Sequence, residues 1–171
     1  MIGDRWGVTE HEVARRYPCD DEVPQPVLQA WRGVTVRAAP ERLWPWVAQI
    51  RLAPYSYDWI DNLGRRSPQH LIETTEPAAG QHFTTTGTRP MGRILSVQPH
   101  RQLTARIMGA VMSYVLVPSD GSTRLLLKIV MARGRGLAPV VCVGDLVMAR
   151  RQLLNLKRLA EGPAEQQGAT R

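Results

Sequence analysis

Only two cysteines, Cys19 and Cys142, occur in 171 residues. That is too few for a disulfide framework, and neither has a CxxC or Cys/His partner at metal-ligand spacing. No apolar run approaches the ~18 residues of a membrane span. The opening residues, Met1 to Arg5, lack the apolar core of a secretory signal, so the expectation is a cytoplasmic protein. GxSxG, HExxH, P-loop and Rossmann glycine patterns are all missing, which removes the sequence marks of several hydrolase and nucleotide-binding classes. No metal and no cofactor is expected. No 20–50-residue repeat or low-complexity segment interrupts the chain, and its length suits one domain with a sizeable core.

Charge is present in excess and unevenly placed. Residues 1–30 carry three basic and six acidic side chains, leaving 19 basic against 9 acidic in the remainder of a chain whose net charge is +7. The basic residues are scattered singly, without a Lys/Arg run or interleaved aromatics, and read as solvated surface. Nucleic acid is therefore disfavoured as a partner, while peripheral contact with an anionic membrane stays open.

The stretch from about Leu137 or Pro139 to Ala160 is both long and two-faced. Cys142, Leu146, Ala149, Leu153, Leu156 and Ala160 recur at helical spacing, with Val143, Val147 and Leu154 widening the stripe. Arg150, Arg151, Lys157 and Arg158 suit the carbonyl end of a helix dipole, and Gly162-Pro163 stops it. About 22 residues make a rod of roughly 33 Å, which needs a large partner surface.

The segments before it supply one. Thr9 and Glu12 form a capping box for a short helix over residues 10–16, which Tyr17-Pro18 ends. Gly33–Arg37 reads as the first strand. Pro40 opens a helix in which Leu43, Trp46, Val47 and Ile50 share a face, with Pro45 awkwardly inside it. Residues 54–64 read as a turn and a short helix ending at Gly64. Strands are expected at Leu71–Thr75, Gln81–Thr86, Gly92–Gln98, Gln102–Ile107, Met112–Val117 and Thr123–Ala132, joined by loops short enough for antiparallel neighbours. The predicted architecture is α+β: a curved antiparallel sheet wrapped around the C-terminal helix. Residues 1–31 are expected as an extension docked through Trp6 and Trp31, residues 32–162 as the domain, and residues 163–171 as a disordered tail.

In this order, Arg5-Trp6-Gly7-Val8-Thr9, Ala39-Pro40-Glu41-Arg42-Leu43-Trp44-Pro45-Trp46-Val47, Tyr55-Ser56-Tyr57-Asp58-Trp59-Ile60-Asp61-Asn62-Leu63 and Val147-Met148-Ala149-Arg150-Arg151-Gln152-Leu153-Leu154 span nearly the whole chain. Together they resemble the START-like, or helix-grip, superfamily. The chain is most similar there to small SRPBCC proteins of actinobacterial type, relatives of the polyketide cyclase/dehydrase proteins. The resemblance implies an internal cavity between sheet and helix and brings no catalytic set.

For the site itself, Tyr57, Asp58 and Trp59 place a phenol, a carboxylate and an indole where they could line a cavity mouth. The plainer reading has the two rings packing and Asp58 capping. Met112, Tyr114 and Leu116 share one strand face, and Leu125, Leu127, Ile129 and Met131 another, with Met148 and Gln152 opposite. The predicted ligand-lining set is Tyr57, Trp59, Met112, Tyr114, Leu116, Leu127, Ile129, Met148 and Gln152, taking a small hydrophobic or amphipathic ligand; ordinary core packing explains the same pattern. The alternative is a cyclase or dehydratase in which Asp58, Tyr57, Tyr114 or Arg106 transfers protons. Of the histidines, His11 and His100 read as solvated, and His82 as a strand-end residue that could point inward beside Phe83. A monomer and a homodimer fit equally well.

Overall fold

The computed structural model describes residues 4–57, 63, 64, 66–73, 75–132 and 138–163, with side chains of the last helix from Met148 onward. Strand β1 (Arg5–Trp6) leads to α1 (Glu10–Ala14), α2 (Pro18–Glu22), β2 (Leu28–Val36) and α3 (Pro40–Ala48), which runs into a 3-10 turn over Gln49–Arg51. Then come β3 (Thr84–Thr86), β4 (Arg89–Met91), β5 (Arg93–Gln98), β6 (Gln102–Ile107), β7 (Ala110–Ser119), β8 (Ser122–Met131) and α4 (Ala138–Glu161). The main sheet has the order β1-β2-β8-β7-β6-β5, antiparallel except where β1 runs parallel to β2. A separate hairpin holds β3 and β4.

The last four strands are the meander that the alternation predicts. Four expectations are corrected. The first long strand begins at Leu28, not Gly33, because Leu28 and Ala30 already bury their side chains opposite β8. The first helix closes at Ala14, two residues early, and Pro18 opens a second one, α2, since its fixed φ suits a first helical position and its absent N–H is an orphan there anyway. Residues 71–73 and 75 are not strand. Gln81–Thr86 does not enter the main sheet; only Thr84–Thr86 is strand, and it turns back on β4. The aromatic segment from residue 58 to 62 and the tail from residue 164 lie outside the described residues, as does the side chain of Cys142.

The sheet is covered on both faces. On one, Leu103 and Ala105 of β6, Tyr114 and Leu116 of β7, and Leu125, Leu127 and Ile129 of β8 join Leu43, Trp46 and Val47 of α3 and Leu153, Leu156 and Ala160 of α4 in the main core. On the other, Val111, Val115, Leu126 and Val130 meet Tyr17, Cys19 and Val23 from the N-terminal segment and Trp31 of β2. Gly7 lets this segment cross β2: its φ is +66°, and a Cβ there would stand 2.3 Å from the Gly33 carbonyl oxygen. Among the described residues, no helix is long and apolar enough to cross a membrane.

Acid–base pairs tie the N-terminal segment down. Glu12 closes the capping box with Thr9 and also takes a bidentate grip from Arg124, at 2.8 and 2.9 Å. Glu22 meets Arg106 at 3.3 Å. Lys128, almost wholly buried, holds Asp20 at 2.5 Å, with its ammonium 5.5 Å from the Tyr17 ring centre and 5.0 Å from that of Trp31. Burial works to raise the Glu12 pKa, but hydrogen bonds from Arg124 and the Thr9 N–H, with the Arg124 charge, hold it below the ordinary carboxylate range. A carboxylate with a depressed folded pKa contributes stability that is complete above its unfolded pKa and lost as pH falls through the folded one. The stability difference between wild type and Glu12→Gln should therefore persist at neutral pH and shrink as the pH drops below about 4.5, read from denaturant melts. A difference that grows on acidification would refute this role for Glu12.

Candidate functional site

Between the sheet's inner face and α4 lies a cavity of about 190 Å³. Met112 and Tyr114 of β7 and Leu127 and Ile129 of β8 form its floor, and Met148, Ala149 and Gln152 of α4 form its roof. One wall is the β3–β4 hairpin, through Thr84, Thr86 and Met91, with Phe83 just ahead of it. The Thr84 and Thr85 hydroxyls lash that hairpin to the 3-10 turn by donating to the Ile50 and Arg51 carbonyls, each at 2.8 Å. Ile107 and Met108 mark the mouth at the β6–β7 turn, where Met108 is 82% exposed.

The lining is apolar apart from a few hydroxyl and amide groups. The Tyr114 hydroxyl donates to Gln152 Oε1 at 2.6 Å, and Gln152 Nε2 donates to the Pro54 carbonyl at 2.5 Å. The tyrosine, the glutamine and the 54–56 loop are thus one connected polar group inside an oily space. The Phe83 and Tyr114 rings sit 6.2 Å apart, tilted by 34°. No Asp, Glu, His, Lys, Arg or Cys lies among the described residues of the lining.

Six of the residues singled out from sequence alternation stand at this cavity: Met112, Tyr114, Leu127, Ile129, Met148 and Gln152. Leu116 is buried in the main core, one alternation further from the mouth, and is not part of the lining. Tyr57 stands outside it, half-buried, with the Arg151 guanidinium 5.9 Å from its ring centre. Arg106 cannot serve as a proton donor there: it alternates with Ala105 onto the outer face and pairs with Glu22. His82 is exposed rather than inward. Asp58 and Trp59 lie outside the described residues.

No family model matches the sequence, and no curated protein matches it. By structure the chain is similar to the Polyketide_cyc-like protein Cgl2372 of Corynebacterium glutamicum, with a TM-score of 0.51 at 14% identity over 84% of this chain and 95% of that one. It is also similar to protein MLL2253 of Mesorhizobium loti, at TM-score 0.53, 16% identity and 77% and 95% coverage. Protein NE0264 of Nitrosomonas europaea matches at TM-score 0.53, 14% identity and 85% and 98% coverage. The fold is the helix-grip fold. At such identities the likeness is one of fold alone.

Within this helix-grip chain, sequence reasoning missed the hairpin wall: Phe83, Thr84, Thr86 and Met91. The signal was Gly87-Thr88, a two-residue loop with glycine first, flanked by short extended runs. Gly87 does take a positive φ, +63°. Pro90 fits because a two-stranded ribbon has only edge strands. Arg32 was also missed. It shares a face of β2 with Leu28 and Ala30, is fully buried, and donates from Nη1 to the Asp4 and Trp31 carbonyls, each at 2.8 Å.

Proposed function

We propose that the protein binds a small apolar or amphipathic molecule in the cavity between sheet and C-terminal helix. The observation that carries this reading is an oily, methionine-rich space with the hydrogen-bonded Tyr114–Gln152 pair set between its floor and roof. Met112 and Met148 give a lining that adjusts to its occupant. The volume, about 190 Å³, is of the order of the ~150 Å³ cavities that take up benzene and below the ~300 Å³ of most drug-sized sites, so the occupant fits one or two rings or a short chain. A ligand hydroxyl or carbonyl would exchange hydrogen bonds with Gln152. With no titratable acid or base but Tyr114 on the described lining, binding is better supported than proton transfer.

Native mass spectrometry of the purified protein should find a bound molecule that organic extraction removes, and an aromatic probe such as 2-naphthol should then bind the emptied protein. Met112→Trp, which places an indole in the space, should weaken that binding about tenfold or more, equivalent to ~1.4 kcal/mol, while the protein still folds. A folded Met112→Trp variant that binds the probe as wild type does would sink the reading.

A further inference from the structure

A second concavity, a groove of about 680 Å³, lies at the far end of β6 and β7 from Met108. One wall is the N-terminal segment at Arg15, Arg16 and Pro18; the facing wall is the β5–β6 turn at His100 and Arg101. A smaller concavity of about 430 Å³ shares Arg16, Pro18, Gln98 and Gln102 with it, so the groove continues toward the β5 edge of the sheet.

Cations outnumber carboxylates in it. Arg16 is paired with Asp21, but Arg15 and Arg101 have no acidic partner among the described residues. Among the described residues of the lining, three guanidinium groups stand against two carboxylates, Asp21 and Glu41. Glu41 lies in the first turn of α3, whose positive dipole end also opens here. His100 is held at the rim with φ +61°, its ring 6.0 Å from that of Trp44.

The floor is built rather than incidental. Gln102 is 6% exposed; its Oε1 accepts from the Thr104 hydroxyl at 2.9 Å and its Nε2 donates to Ser96 Oγ at 3.2 Å. An amide nitrogen has two N–H groups, so one remains to give. Val115, Val117 and Pro118 add an apolar side to the groove.

We propose that this groove binds a phosphorylated small molecule, with Arg15 and Arg101 gripping the phosphate oxygens from opposite walls and the Val115–Pro118 edge covering the remainder. Guanidinium forks match phosphate bidentately, and an excess of cations over carboxylates suits a dianion. The site is independent of the cavity beneath α4.

Calorimetry on the full chain with pyrophosphate, adenosine monophosphate and adenosine tests it. Both phosphates should bind, more tightly at low salt than at about 0.15 M, and adenosine should bind at least about tenfold more weakly than its monophosphate. Arg15→Ala and Arg101→Ala should each weaken binding of the monophosphate about tenfold without lowering the melting temperature, because both side chains are exposed and unpaired. Arg89→Ala, on the distant hairpin, should leave it unchanged. Saturating monophosphate should slow tryptic cutting after Arg15 and Arg16. The proposal is overturned if Arg89→Ala weakens binding as much as Arg101→Ala, if adenosine binds as tightly as its monophosphate, or if neither phosphate gives heat at low salt.

Discussion

Leu153→Asp should abolish the folded state. Leu153 is fully buried on the face of α4 that the sheet closes on, among Leu156, Ala160 and the inner residues of β8. A carboxylate there finds no partner in the core around it, and an unpaired buried charge costs about 4–5 kcal/mol or more, comparable with the ~5–15 kcal/mol that holds a whole domain. Arg151→Ala, two residues earlier, removes an exposed side chain that lies over the Tyr57 ring, and should change stability by less than about 0.5 kcal/mol. Circular dichroism distinguishes the two. A Leu153→Asp protein that melts cooperatively near the wild-type temperature would mean that the helix face is wrongly assigned.

Deleting residues 1–26 should lower the melting temperature by about 10 °C or more. The cut belongs there because β2 begins at Leu28; a deletion through residue 31 would remove half of a central strand. The segment buries Tyr17, Cys19 and Val23 against the outer sheet face, and each such apolar side chain is worth roughly 1.5–3 kcal/mol. For a chain of this size each kcal/mol moves the midpoint by about 2–4 °C. The deletion also strands Lys128, which loses Asp20 and the Tyr17 ring. Raising salt on the intact protein should not mimic the loss, since the exposed pairs contribute only about 0–1 kcal/mol each. A truncated protein melting within about 2 °C of the full chain would refute the docking.

These features were unequally legible. The period of α4 from Ala149 to Ala160 and the alternation of Met112, Tyr114 and Leu116 are wide, repeated signals, and they placed the helix and the inner face of β7. Thr9 and Glu12 worked because a capping box is a local motif whose two hydrogen bonds do not depend on the remainder of the fold. Strand β1 was beyond reach: two residues have no period, and its pairing with β2 is a tertiary event. The covered outer face, by contrast, was there to be read. Leu125-Leu126-Leu127 and Ile129-Val130 run apolar without alternating, the mark of a strand buried on both sides, and Lys128 disguised it. Arg106 was named as a proton-transfer candidate for its side chain alone; its register opposite Val111 puts it on the outer face, which the residue type does not reveal.

The strand order also sets a timetable for synthesis. Strand β2 sits between β1 and β8 in the sheet, and its nine residues pair with Thr123 through Met131, so the first two strands are held by the last strand of the sheet to be made. Translation at ~5–20 residues per second leaves Leu28 and Trp31 without that partner for about 5–20 s after they are made. Over that interval α1 and α2 also lack the outer face against which they pack, since it is built from β7 and β8. The hairpins β5–β6, β6–β7 and β7–β8, each closed by a short turn, can zip in the order in which they emerge. The first 26 residues, with six acidic against three basic side chains and prolines at 18, 24 and 26, are the part of the chain that spends this interval without its packing surface.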